Sequence, residues 1–374
     1  MDKIKVVNII TDTNIGGAGK CILTFARHHD RSKLDLTVVV PRGSRLVPEL
    51  RETGVTVVEA DGIADESFRL SGIREQARLF RSLRCDIVHT HAALSARVAA
   101  RLAGARGIVY TRHCVYEPSR RMKSLAGRLL NKGIAALFSD KIIAVAEAAA
   151  QNLTDVGIPR RKIRVILNGI EPLSPLRDEE KRAQRERFGV PPDTKVVSLV
   201  ARLEKVKGHD DYIEAARILK RRGVPVRLIA AGSGSREAEL KGNTDVLFTG
   251  FIPDAYRLIG ITDVSVNASF GTEATSIALL EGMSLGIPAV VTDYGGNPGV
   301  IQDGKNGFLA PVHNGERLAE QIEKILSNDA LKEELSAGAK AIFAEKFTAQ
   351  AMCRQIEEVY TAILDRGGRK NGAK

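Results

Sequence analysis

Two glutamates, Glu273 and Glu281, are separated by seven residues in the stretch ASFGTEATSIALLEGMSLGIPAVVTDYGGNP, residues 268–298. The sequence between them changes from loop to helix. Thr275 and Ser276 are residue types that cap a helix N-terminus, and Ile277, Ala278, Leu279 and Leu280 follow as an apolar run. Gly286 ends that helix and Pro288 follows it. Ile287 to Thr292 then reads as a buried strand, and Gly295-Gly296 as a turn. Glu273 therefore belongs to the loop before a helix and Glu281 to the helix itself. At ~1.5 Å rise per residue the two lie roughly 10 Å apart. That is too far to share a proton, and it suits holding two ends of one ligand. The helix start between them offers free N–H groups to an anion.

A second constellation is cationic. Arg202 and Lys207 stand five residues apart on a loop that follows the apolar run Lys195 to Ala201. An arginine fork and a lysine point charge at that spacing can grip a diphosphate from two sides. A third is the glycine loop IGGAGKC, Ile15 to Cys21, between the first strand and the first helix. Gly16 and Gly17 let the backbone turn sharply and approach a ligand closely. It is not a P-loop, because Asn14 stands where the first glycine is needed and Cys21 where a magnesium-binding hydroxyl is needed. His89, His91 and His113 sit at the ends of two strands. As a metal set they lack an Asp, Glu or Cys at ligand spacing, and each also reads as a satisfied structural histidine.

The elements that position these residues alternate. Strands are expected at Ile4–Ile10, Leu36–Val40, Val55–Glu59, Asp86–His89, Ile108–Thr111, Lys141–Val145 and Ile163–Leu167, with helices between. A linker, EPLSPL, contains two prolines in residues 171–176. A second series follows: Lys195–Ala201, Val226–Ala231, Val246–Thr249, Asp263–Asn267 and Ile287–Thr292. From Gly315 to about Leu364 the chain reads as helical. Strands alternating with helices argue parallel sheets covered on both faces. The fold class is α/β, with two Rossmann-like domains at 1–170 and 171–355 and a helix end with a polar tail at 356–374. Ligands in such sheets bind at the C-terminal strand ends.

Set in this order, the motifs resemble the retaining glycosyltransferases of the GT-B fold, family 4. The resemblance rests on Glu273-x7-Glu281 before the Gly-Gly turn, on Ala201-Arg202-Leu203 with Lys207-Gly208, on Gly232-Ser233-Gly234, on Thr249-Gly250-Phe251-Ile252, on Leu167-Asn168-Gly169-Ile170 and on Gly16-Gly17. It covers about residues 8–310. It implies two Rossmann-like domains facing each other across a cleft, and transfer of a sugar from a nucleoside-diphosphate sugar, a UDP-sugar favoured, with retention at the anomeric carbon. By the same resemblance, Glu273 holds donor-sugar hydroxyls and Glu281 the ribose. Arg202 and Lys207 hold the diphosphate leaving group, with Thr275 and Ser276 at the helix start. Gly250, Phe251 and Ile252 hold the base through main-chain groups. Gly16 and Gly17 lie near the donor phosphates, His113 lies beside the sugar, and His91 shapes the acceptor pocket. No Asp-x-Asp occurs, which suits an enzyme without metal or other cofactor. Two departures stand out: Ala201 replaces a family glycine, and Gly299 stands where a glutamate is common. A nucleotide-sugar-binding protein without transfer activity and a UDP-sugar epimerase are the alternative readings.

Composition narrows the setting. The chain has 374 residues, is 44% hydrophobic and 27% charged, and carries a net charge of +11. Residues 1–170 hold 28 Lys and Arg against 16 Asp and Glu, and the remainder 28 against 29. The basic excess thus lies wholly in the first half and points to an acidic partner. Nucleic acid is disfavoured, since the basic residues lack aromatic interleaving and any recognised reading module. The stretch RRMKSLAGRLLNK, residues 120–132, reads as one amphipathic helix. Arg120, Arg121, Lys123 and Arg128 flank its apolar face, which suits docking on anionic lipid toward a lipid-linked or glycan acceptor. The four cysteines are scattered and read as free thiols, and no run reaches the ~18 apolar residues of a membrane span. The expected location is the cytoplasm, peripheral on the inner face of the plasma membrane.

Overall fold

The computed structural model describes residues 3–64, 68, 70–91 and 93–371, with side chains up to 365. The chain forms two compact units: one runs to Gly169 and takes up the chain again from Ala349, and the other is Ile170–Thr348.

The first unit is a seven-stranded sheet of β1 Ile4–Ile10, β2 Leu34–Pro41, β3 Thr56–Ala60, β4 Ile87–His91, β5 Gly107–Arg112, β6 Lys141–Ala144 and β7 Ile163–Val165. Their order is β3-β2-β1-β4-β5-β6-β7, with every neighbour parallel. The chain steps outward from β1 in one direction, then returns to β4 on its other side. The gap between β1 and β4 is therefore the point where strand order reverses, and the loops above it diverge. The strands are near-continuous apolar runs because both faces are covered.

The second unit repeats the plan with six strands: β8 Lys195–Val200, β9 Val226–Ala231, β10 Leu247–Phe248, β11 Val264–Asn267, β12 Ala289–Thr292 and β13 Gly307–Ala310. The order β10-β9-β8-β11-β12-β13 reverses between β8 and β11. Each neighbour is again parallel. β13 was not expected.

Three expectations need correction. The second domain was expected to run to residue 355, but the helix Ala349–Asn371 packs with the first unit. It buries Met352, Cys353, Ile356, Val359, Tyr360 and Ile363 in a core with Ile22, Phe25, Ile87 and Val109. That spacing is one helical stripe, and its apolar partners lie on the helix Gly17–His28 and on strands β4 and β5. The helix was expected to end at about Leu364; it continues to Asn371, and 372–374 lie outside the described residues. Finally, 120–132 is two helices, Arg120–Lys123 and Leu125–Phe138. Ser124 breaks the run: its backbone is extended, and its hydroxyl accepts from the Gly127 N–H at 3.2 Å as the second helix's N-cap.

Candidate functional site

The loops at the C-terminal edge of the second sheet are tied to one another by backbone hydrogen bonds. Gly232 N–H donates to Gly250 O at 2.9 Å, and Leu203 N–H to Ser233 O at 2.9 Å. Phe270 N–H donates to Val206 O at 2.9 Å, and Gly296 N–H to Glu273 O at 3.1 Å. The segments after β9, β8, β11 and β12 thereby hold one another in place. Glycine is required where they touch. Gly208 has φ +70, and a Cβ there would lie 2.0 Å from Ala268 O, so only glycine lets the β8 loop cross the β11 loop. At Gly296 a Cβ would lie 1.5 Å from Ala274 O. The Gly295-Gly296 turn is thus a brace beneath Glu273.

Glu273 and Lys207 meet at the β8/β11 reversal. Lys207 Nζ lies 2.8 Å from Glu273 Oε2, and both side chains are nearly buried. Ser269 Oγ donates to the same oxygen at 3.0 Å, and the Asn267 amide adds a further bond. Burial pushes the Glu273 carboxyl up. The Lys207 charge and the bonds from Lys207, Asn267 and Ser269 outweigh it and hold the group below its ordinary 4.5. Thr272, just before it, has φ +56, a left-handed conformation uncommon for a residue other than glycine.

The other residues of this unit that the resemblance assigns to the donor lie on its loops and a helix. Arg202 is exposed at the end of β8, and its guanidinium makes no hydrogen bond or ion pair among the described residues. Ser276 caps the helix Ile277–Ser284, its hydroxyl accepting from the Leu279 N–H at 3.4 Å. Thr275 precedes it, and Glu281 lies on the helix. That helix ends in a Schellman turn: Ile287 N–H donates to Gly282 O at 2.9 Å and Gly286 N–H to Met283 O at 3.0 Å, with Gly286 at φ +78. Gly250 has φ +73, Phe251 is exposed, and the Ile252 side chain is buried in an apolar core with Ile229 and Leu258. Only main-chain groups of Ile252 are therefore free to face a ligand.

Sequence reasoning missed the residues that hold Glu273: Asn267, Ser269, Thr292 and Asn297. The Thr292 hydroxyl donates to the main-chain oxygen of Ser269 and lies 3.4 Å from that of Asn267, and buried Asn297 donates to Thr292 Oγ1 at 3.1 Å. The only signal was two polar residues, Asn267 and Ser269, at the end of an apolar strand. Gly299, the departure from the family pattern, is exposed with nothing within 4 Å of a built Cβ.

In the first unit, Gly16 is the N-cap of the helix Gly17–His28. Neither Gly16 nor Gly17 has a positive φ, and a Cβ on Gly17 would meet nothing within 4 Å. His91 ends β4, and His113 follows β5. The structure joins them: His91 Nδ1 lies 2.6 Å from His113 Nε2. His89 bonds the Tyr360 hydroxyl through Nδ1 and the Thr111 hydroxyl through Nε2, each at 2.6 Å. These contacts take both nitrogens of His89 and one nitrogen each of His91 and His113. Burial, and then the neighbouring His113, takes His89 down to about 3; burial and then Arg112 takes His113 down to about 4. Arg120, Arg121, Lys123 and Arg128 are exposed, and Leu125, Leu129, Leu130 and Leu137 project from the second of the two helices into solvent.

Comparison with known proteins agrees with this architecture. Residues 15–172 match the model of the family described as Glycosyltransferase Family 4, and residues 180–342 that of Glycosyl transferases group 1. EpsD of Bacillus subtilis (strain 168), assigned as a glycosyltransferase, is 30% identical over 315 residues, covering 79% of this chain and 81% of its own length. The N-acetyl-alpha-D-glucosaminyl L-malate synthase of Bacillus anthracis is 25% identical over 88% of both chains. Among solved structures, Anabaena Alr3699/HepE in complex with UDP-glucose superposes with a TM-score of 0.80 at 21% identity, over 96% of this chain and 100% of that one. Two family models in tandem, a relative of near-equal length and two reversing parallel sheets lead to one conclusion: the chain belongs to the GT-B-fold glycosyltransferases of family 4.

Proposed function

We propose that the protein transfers a sugar from a UDP-sugar to a glycan or lipid-linked acceptor in cell-surface polysaccharide or glycolipid synthesis, with retention at the anomeric carbon and without a metal ion. The observation that carries this reading is the Lys207–Glu273 pair, buried at the β8/β11 reversal. A sugar hydroxyl arriving there finds a carboxylate already ionised and oriented by Ser269 and Asn267. The departing diphosphate takes the charge of Arg202 and Lys207 and the N–H groups at the Ser276-capped helix start, which do the work a divalent cation would otherwise do. Glu281 on that helix holds the ribose, and the main chain of Gly250 to Ile252 holds the base. By the family resemblance, Gly16 and Gly17 serve the donor phosphates, and His113 and His91 the sugar and acceptor. The UDP-glucose complex of Alr3699/HepE supports a UDP-sugar donor. The exposed leucines beside Arg120, Arg121, Lys123 and Arg128 support peripheral docking on an anionic membrane, where a lipid-linked acceptor would be presented.

Release of UDP from a panel of UDP-sugars, followed by proton NMR of the product with and without EDTA, tests this. The reading predicts an axial product linkage from an axial donor, unaffected by EDTA, and at least about 100-fold loss of rate in Glu273→Gln. Inverted product, abolition by EDTA, or an unimpaired Glu273→Gln would contradict it.

A further inference from the structure

Of the three histidines at the C-terminal ends of β4 and β5, His89 is sealed, with a hydroxyl on each nitrogen. His91 and His113 are each bonded through one nitrogen only. Their facing nitrogens are 2.6 Å apart, their ring planes differ by 17°, and their centroids are 4.9 Å apart. Nearly coplanar rings that touch at their nitrogens meet end to end, in the geometry of an in-plane hydrogen bond. The two outer nitrogens, His91 Nε2 and His113 Nδ1, are buried and have no hydrogen-bond partner among the described residues. A buried polar atom left unpaired costs free energy, so a pair of them calls for an explanation.

Proton counting constrains the pair. Burial disfavours the charged form of both rings: it takes His113 down to about 4 together with Arg112, and takes His91 further below its ordinary value together with His89 and His113. Each neutral ring carries one N–H. At 2.6 Å the bridge holds a single proton, because two facing lone pairs or two facing N–H groups repel. If that proton sits on His91 Nδ1, then His91 Nε2 is bare and the His113 proton is on Nδ1. If it sits on His113 Nε2, then His113 Nδ1 is bare and the His91 proton is on Nε2. In either case the two rings share one tautomer, and the outer nitrogens have opposite character, one donor and one acceptor.

We infer that His91 and His113 act as one proton-relaying unit that binds a ligand hydroxyl at each outer nitrogen, accepting from one and donating to the other. The step balances. A hydroxyl gives its proton to the bare outer nitrogen, the bridging proton crosses to the other ring, and the far N–H passes its proton to a second ligand oxygen. One O–H bond breaks, one forms, and the pair stays neutral. In the enzyme this lets an acceptor hydroxyl lose its proton as it attacks. That use rests on the glycosyltransferase reading; the shared tautomer does not.

Two-bond proton–nitrogen correlation spectra of the full chain labelled with ¹⁵N-histidine test the pair directly near neutral pH, with His91→Asn and His113→Asn used for assignment. The expected result is two neutral rings in the same tautomer, which stay matched when UDP-glucose is added. Opposite tautomers, an imidazolium, or a switch in one ring alone would overturn the inference, whether or not any nucleotide sugar is turned over. The relay is tested by His91→Asn, which keeps a hydrogen-bonding atom near the Nδ1 position but has no second nitrogen to pass the proton on. We expect kcat to fall about 100-fold, with Tm unchanged and the KM for donor within about twofold. A wild-type kcat, or a raised KM with kcat intact, would reduce His91 to a pocket wall and overturn the relay.

Discussion

Lys207 and Glu273 depend on each other before any ligand arrives. A carboxylate this buried is stable only because an ammonium sits 2.8 Å away and two polar side chains hydrogen-bond to it as well. Lys207→Ala should therefore cost about 3–5 kcal/mol, since it strands the charge of Glu273. Lys207→Met combined with Glu273→Gln should recover most of that loss, while remaining inactive. Urea denaturation of the single and double variants checks it; equal destabilisation by Lys207→Ala and by the double variant would show that the pair does not act as a unit. The sequence singled out both residues, but in separate constellations, Glu273 with Glu281 and Lys207 with Arg202, and did not show that they pair. Their supports were not legible. Asn267, Ser269, Thr292 and Asn297 are ordinary polar residues, and only three-dimensional proximity makes them a hydrogen-bonded brace. The His91–His113 bond was hidden for the same reason: residues 22 apart in sequence become neighbours only because β4 and β5 pair in register, His91 opposite Thr111.

At the scale of elements, glycines decide how closely the strand-end loops can pass. Gly208→Ala would place a methyl group 2.0 Å from Ala268 O in a left-handed conformation. It should cost more than about 1 kcal/mol and loosen nucleotide binding, because the β8 and β11 loops carry Lys207 and Glu273. Gly299→Ala, with nothing within 4 Å, should leave both unchanged. Thermal melts with and without UDP distinguish the two; a tolerated Gly208→Ala would mean that the loops do not need that crossing. Most strands were legible from apolar runs bounded by turn residues, to within one or two positions. The errors have physical causes. Ser124 looks like a helix-surface residue until its hydroxyl is seen capping a new helix. β13 is short, and its pairing with β12 is what makes it a strand. The final helix reads as part of the second domain by sequence order, while its apolar stripe finds its partners in the first unit.

Across the whole molecule, two features lie outside the donor site: the basic excess of residues 1–170 and the leucines exposed between Leu125 and Leu137. No helix among the described residues is long and apolar enough to cross a membrane. An exposed apolar strip flanked by basic side chains instead suits the interface of an anionic bilayer. Liposome flotation should show binding that requires anionic lipid and weakens at high salt, and Leu125→Ser with Leu129→Ser should reduce it several-fold; flotation indifferent to lipid charge would remove the membrane from the account. Two-domain α/β organisation was legible from the alternation of elements, and the family from motif order. Neither the sugar nor the acceptor was, because no single residue here reads as a pocket of one shape. The most direct test of the central claim is the thermal stabilisation of the protein by UDP, GDP and ADP, alongside Arg202→Ala. We predict that UDP at a hundred times its Kd adds about 2.7 kcal/mol, that GDP and ADP add less, and that Arg202→Ala abolishes most of the effect at the same concentration. No stabilisation by any nucleoside diphosphate, or an undiminished one in Arg202→Ala, would contradict the assignment of the β8 and β11 loops as a nucleotide-sugar site.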